Sequence, residues 1–139
     1  SLIEPQTGKR IEVIKKFDHI PRIECYPNQI NQLFMTLLVN ATEAIENEGI
    51  ISIRTSSKGD RVNIDISDTG RGIPTDRLEN IFDVGFSRDG ARMRMRAGLA
   101  NCYAIVQKHG GDITVESEVG KGTAFRTTLP VTLTPMGLE

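Results

Sequence analysis

Between residues 28 and 47 apolar side chains return every three or four positions, at Ile30, Leu33, Phe34, Leu37, Leu38, Ala41, Ala44 and Ile45. That spacing predicts one long amphipathic helix with its stripe turned to a core, ended by Gly49. Elsewhere the period is two. Val62, Ile64 and Ile66 share one face of a predicted strand over 61–67, which pairs with 50–55 around the turn Ser57-Lys58-Gly59-Asp60. Segments 9–17 and 22–25 alternate loosely, with Pro21 and Pro27 as punctuation, and read as two short strands. A glycine-bearing turn, Asp68-Thr69-Gly70-Arg71-Gly72, precedes a short predicted helix over 74–82 that opens on Pro74. Residues 83–97 hold no clear period and four arginines, Arg88, Arg92, Arg94 and Arg96, and are expected to form a mobile loop. A second long helix over 99–109 stops at Gly110-Gly111, and 112–118 with 123–131 make a closing hairpin. This order implies an α+β fold, a two-layer sandwich whose mixed, mostly antiparallel sheet is covered on one face by about three helices.

A chain of 139 residues fits one domain, large enough to bury about two-thirds of the surface it exposes when unfolded. Its 38% apolar and 25% charged residues and net charge of -1 are ordinary for a globular protein and suggest neither disorder nor a nucleic-acid footprint. Cys25 and Cys102 are too few for a disulfide framework and lack metal-ligand spacing, which suits a reducing compartment. No apolar run reaches the roughly 20 residues that span a bilayer, so a soluble, cytoplasmic segment is expected. The chain opens on Ser1-Leu2 and ends on Gly137-Leu138-Glu139, and it is expected to be a piece of a longer protein.

Asp68 carries the most chemistry. It continues the parity of Val62, Ile64 and Ile66, so its carboxylate should face the helix layer. An inward carboxylate needs donors. Either it stabilises its own tight turn, or it accepts a hydrogen bond from a ligand amine such as that of adenine. Gly70 and Gly72 permit close backbone approach there, and Ile73 offers an apolar wall to a flat ring. On the first helix a second stripe, Gln32, Thr36, Asn40, Glu43 and Asn47, runs beside the apolar one. A solvated face explains most such stripes. Asn40, however, borders the core, and its amide oxygen suits Mg2+, which takes few protein ligands besides phosphate oxygens and water. Gly98-Leu99-Ala100-Asn101 turns a loop into a helix whose free N–H groups could hold phosphates, or is simply a helix start. Gly120-Lys121-Gly122-Thr123 is a hairpin turn with a hydroxyl beside it, and no Walker P-loop occurs in the chain.

Taken together these segments resemble the histidine-kinase branch of the superfamily shared by DNA gyrase, heat-shock chaperone ATPases and mismatch-repair ATPases. The matching pieces are Leu38-Val39-Asn40-Ala41-Thr42-Glu43-Ala44, Asp68-Thr69-Gly70-Arg71-Gly72-Ile73, Ile81-Phe82-Asp83-Val84-Gly85-Phe86-Ser87, Gly98-Leu99-Ala100 and Gly120-Lys121-Gly122-Thr123-Ala124-Phe125. Each box is weak alone; five in order and spacing are specific. The resemblance implies a Bergerat-type ATP-binding fold with ATP and Mg2+ as ligands. It implies Asp68 for the adenine amine and Gly70, Gly72 and Ile73 around the ring. It further implies Gly98 and Leu99 at the phosphates, Asn40 for the metal and Thr123 for a polar contact near adenine. Residues 83–97 become the lid, with Arg94 and Arg96 as candidates for the γ-phosphate. Ala100 stands where the family has glycine, and Thr36 where the asparagine box opens with a second asparagine; both departures bear on the phosphate grip rather than the fold.

In gyrase-like and chaperone relatives a glutamate one turn before the metal asparagine activates water. Thr36 holds that place here. Threonine is no general base at neutral pH, so transfer to an external nucleophile is expected, with Glu43 able to assist. Neither His19 nor His109 sits in a helical acceptor motif. The implied partners are a phosphoacceptor histidine domain of the same or the paired protomer and a response regulator. The implied full-length protein is a homodimer, this piece a monomer, and no nucleic acid is involved. Two alternatives stay open: a related protein-serine kinase or ATPase, and a degenerate nucleotide-binding module without turnover.

Overall fold

A computed structural model describes residues 2–3, 8–78, 81, 86–89, 92–95 and 98–133, with residues 2–3, 86–89, 92–95 and 98 described through their backbone. The first half of the chain comprises strands β1 (Leu2–Ile3) and β2 (Arg10–Phe17), helix α1 (Pro27–Ala44), and strands β3 (Glu48–Lys58) and β4 (Arg61–Asp68). The second half runs through α2 (Thr75–Leu78), β5 (Phe86–Asp89), β6 (Arg92–Met95), α3 (Gly98–Lys108), β7 (Asp112–Glu118) and β8 (Gly122–Pro130).

One sheet takes the order β1-β2-β3-β4-β8-β7, and its pairings are antiparallel except that of β2 with β3. Parallel neighbours need a crossover, and α1 supplies it. The helix forms because Ile30, Leu33, Leu37 and Ala41 fall on one stripe and are buried, while Pro27 fits the first turn, where its missing N–H is no loss. That stripe packs on α3, β4 and β8. The facing row of the sheet supplies Ile11, Ile51, Val62, Ile66, Ile113, Phe125 and Leu129 to the same core. Each such side chain is worth roughly 1.5–3 kcal/mol when fully buried. The expected α+β sandwich, helices on one face of a mixed and mostly antiparallel sheet, is the architecture observed. Among the described residues no helix is long and apolar enough to cross a membrane.

His109 ties the two long helices together. Its Nδ1 donates to the Ile105 carbonyl at 2.8 Å and its Nε2 accepts the Tyr26 N–H at 3.0 Å, so the N-terminal edge of α1 hangs on the C-terminal turn of α3. The Tyr26 ring meets the imidazole edge-on at 5.4 Å and carries Lys108 Nζ over its face at 4.7 Å.

Several boundaries differ from expectation. Helix α1 stops at Ala44 and Ile45 is already extended, because Glu48 must pair with Arg10 at the start of β3. Gly49 is therefore no helix cap but a strand glycine, where a Cβ would meet Thr69 Oγ1 at 2.7 Å. Segment 22–25 is not a strand. It makes one ladder-like bond, Glu24 N–H to the Val131 carbonyl at 2.9 Å, and the flanking prolines cannot donate further ones. Within 83–97, expected to lack regular structure, β5 and β6 pair as an antiparallel hairpin.

Candidate nucleotide site

Across the sheet one row of side chains runs Val13, Ile51, Asp68, Thr123, Ser117, each opposite the next in register. Its polar end is the core of the site. Asp68 is only 7% exposed, as its parity required. Gly70 N–H donates to its Oδ1 at 2.8 Å. Burial pushes the Asp68 carboxyl above its ordinary value of 3.8, opposed by hydrogen bonds from the Gly70 and Thr123 backbones and by the charge of Arg71. The carboxylate thus does stabilise its own turn, and those donors leave acceptor capacity on its oxygens.

The loop after β4 is docked on the C-terminal end of α1, where helical carbonyls lack partners. Arg71 N–H donates to the Ala44 carbonyl at 3.0 Å, and Arg71 Nη1 to the Glu43 carbonyl at 3.1 Å. This explains the glycines in a way the sequence did not show. A Cβ on Gly70 would collide with the Ala44 carbonyl oxygen, and one on Gly72, at φ +76°, with the Glu118 carbonyl oxygen. The close approach they permit is of the loop to α1 and to the β7–β8 hairpin. Ile73 N–H is held by Ser117 Oγ at 2.8 Å, and Gly120 N–H by the Arg71 carbonyl at 2.9 Å.

Between this loop and the helices lies a cavity of about 210 Å³. It brings together Asn40 and Glu43 of α1, Gly72 and Ile73 of the loop, Leu99 of α3 and Thr123 of β8, all six expected from the sequence. Arg71 and Arg77 also line it, two cations that the sequence pattern did not single out. Asp68 and Gly70 are not on its wall; Asp68 flanks Thr123 in the row beneath, and Gly70 packs against α1. Gly98 begins α3. Arg94 lies on β6, described through its backbone, and Arg96 falls outside the described residues, as do Phe82, Asp83, Val84 and Gly85. Thr36 is not on the cavity wall either: its hydroxyl hydrogen-bonds the sulfur of Cys102, a buried thiol that burial pushes up to about 11. Asn40 and Glu43, hard oxygen donors on one wall, fit a cation that binds mainly through phosphate and water. A larger hollow of about 560 Å³ on the opposite face of the sheet, between Lys16, Arg54, Asp65 and Arg126, contains none of the expected residues.

Ser117 was missed. Yet it shares the parity of Ile113 and Val115 on β7, and the same inward-polar argument that found Asp68 would have found it.

The family model described as histidine kinase-, DNA gyrase B-, and HSP90-like ATPase matches residues 25–133. The chain belongs to this family. Membership supports ATP as a ligand of this chain. The chain is 38% identical over 117 residues to the sensor histidine kinase ZraS of Escherichia coli K12, a match that covers 84% of this chain and 25% of that protein. It therefore spans about a quarter of that relative's length. The solved catalytic domain of the histidine kinase ThkA superposes with a TM-score of 0.76 at 28% identity, covering 88% of this chain and 81% of that one. Full-length ShkA, solved in complex with AMPPNP, gives a TM-score of 0.76 at 27% identity over 92% of this chain and 27% of its own.

Proposed function

We propose that this chain binds Mg2+-ATP in the α1–loop–β8 cavity and presents its γ-phosphoryl group to a histidine on a separate dimerisation helix, as part of a longer sensor histidine kinase. The observation that carries this is the gathering of Asn40, Glu43, Gly72, Ile73, Leu99 and Thr123 in one cavity beside the buried Asp68. Asp68 accepts a hydrogen bond from the adenine amine, Ile73 packs against the ring and Gly72 contributes to the cavity wall. The N-terminal turn of α3, from Gly98 and Leu99, faces the phosphates with its free N–H groups. Mg2+, when bound, neutralises charge on the phosphate oxygens, held by the Asn40 amide oxygen and by waters. The acceptor imidazole nitrogen attacks the γ-phosphorus as the bond to ADP breaks, with Glu43 placed to assist and Arg94 and Arg96 of the lid stabilising the charge that spreads over the transferring oxygens.

Likeness to sensor histidine kinases supports a phosphoacceptor domain, on the same or the paired protomer, and a response regulator as recipient; a cytoplasmic catalytic segment and a homodimeric whole protein complete the proposal. Thr36, turned to Cys102, leaves no general base in the place of the water-activating glutamate, which favours transfer over hydrolysis. The same observation, with Ala100 in α3, also fits a nucleotide-binding module without turnover. Incubation of the chain with Mg2+-ATP and a helical histidine domain from a relative separates the two. Phosphohistidine on the added domain is the expected result, and nucleotide binding without it would leave the module.

A further inference from the structure

The Ser117 hydroxyl makes three contacts that fix where protons sit. Ile73 N–H donates to Ser117 Oγ at 2.8 Å, the Gly122 carbonyl oxygen lies 3.0 Å from it, and Thr123 Oγ1 lies 2.8 Å from it. A serine hydroxyl has one proton and two lone pairs. An amide N–H only donates, so it occupies one lone pair. A carbonyl oxygen only accepts, so it receives the proton. The second lone pair is what remains for Thr123, and Thr123 must supply the proton in that bond. Its own hydroxyl is thereby spent as a donor and keeps only acceptor capacity.

That matters because Thr123 lines the cavity and stands opposite Asp68 in register, whose ionised carboxylate also only accepts. Ser117 is not on the cavity wall. It is held in place by the hairpin, where it pairs with Thr123 across β7 and β8. Gly122, at φ +128°, brings its backbone against the Asp68 carbonyl, so a Cβ there would collide with it.

We propose that Ser117 is a specificity-determining positioning residue: by holding the Thr123 hydroxyl as a hydrogen-bond acceptor, it makes the site select a purine bearing an amine over one bearing a carbonyl at the same position. This rests on the cavity being the nucleotide site proposed above. At that exocyclic position an amine has two N–H groups to give to two acceptors, whereas a carbonyl sets its own lone pairs against those of both Asp68 and Thr123. Without the Ser117 oxygen, Thr123 is free to turn its proton toward the ligand and tolerate the carbonyl.

The test compares Mg2+-ATP with the Mg2+ complex of inosine triphosphate, which carries a carbonyl in place of the amine, by calorimetry on the parent chain and on Ser117→Ala. The parent prefers ATP, and Ser117→Ala narrows the ATP-over-inosine ratio by about tenfold, with inosine triphosphate affinity held or raised. A purely structural role weakens both ligands alike, and a parental ratio in the variant overturns the proposal. Should Ser117→Ala not fold, Ser117→Cys keeps the shape with a weak donor and acceptor; it too narrows the ratio, and an unchanged ratio overturns the proposal. A parent chain that binds neither nucleotide sinks the cavity assignment and this inference together. A parent that prefers ATP beside a Ser117 variant that keeps the full preference sinks this inference alone.

Discussion

Asp68 is placed where an aspartate is costly, and the cost has a sign that can be measured. Its carboxyl is raised above 3.8 by burial, so the folded chain takes up its proton at a higher pH than the unfolded chain does. In the window between the two values the folded state binds more protons, and stability attributable to this group rises as pH falls through the raised value. Urea midpoints of the parent, compared with Asp68→Asn, are expected to shift in the parent's favour as the medium is acidified from neutral. Parallel pH dependences of the two would show that Asp68 is not desolvated. Protonation also removes an acceptor, so ATP affinity should weaken over the same window. Asn40 gives a second residue-scale prediction: Asn40→Ala loses most of the gain in ATP affinity that Mg2+ confers on the parent, seen by titrating with and without EDTA, and an intact Mg2+ effect would remove it as the metal ligand. Asp68 was legible because a period of two fixes the side of the sheet a residue faces. Arg71 and Arg77 were not, since a cation on a loop or a short helix carries no period.

At the scale of elements, the site depends on two dockings. The loop after β4 sits on the open end of α1, and Gly70→Ala would drive a methyl group into the Ala44 carbonyl. We expect that variant to lose roughly 1–3 kcal/mol of stability, the range for overpacking a close contact, and to weaken nucleotide binding as the loop shifts; calorimetric melting and titration read both, and a fully stable, fully binding variant would contradict this docking. The other docking is the His109 bridge. His109→Ala empties the buried imidazole position and leaves the part-buried Tyr26 N–H without its acceptor, which should cost about 1–3 kcal/mol, read by chemical denaturation, whereas a change within a few tenths would show the bridge to be idle. Helix and strand existence followed from hydrophobic period, but ends did not. Gly49 looked like a helix stop because local signals favour it, whereas the parallel pairing of β2 with β3 sets the true end at Ala44. Residues 22–25 looked like a strand from composition, yet sheet membership depends on partners that a local pattern cannot show.

Over the whole molecule, a sheet of mixed direction holds Asp68, Thr123 and Ser117 in one row while α1, α3 and the loop close a cavity above it. The five boxes read from the sequence fall within residues 25–133, which the ATPase family model matches, and the proposed site uses their glycines, inward carboxylate and helix asparagine together. The phosphate side was less legible: Thr36 and Ala100 depart from the family pattern, and the sequence did not show that Thr36 turns to Cys102. The most direct test of the account is calorimetric titration of Mg2+-ATP into the parent chain and into Asp68→Asn. A saturable single-site isotherm for the parent, weakened at least about tenfold in the variant, is the predicted result; no detectable binding by the parent, or equal affinity in the two, would contradict it.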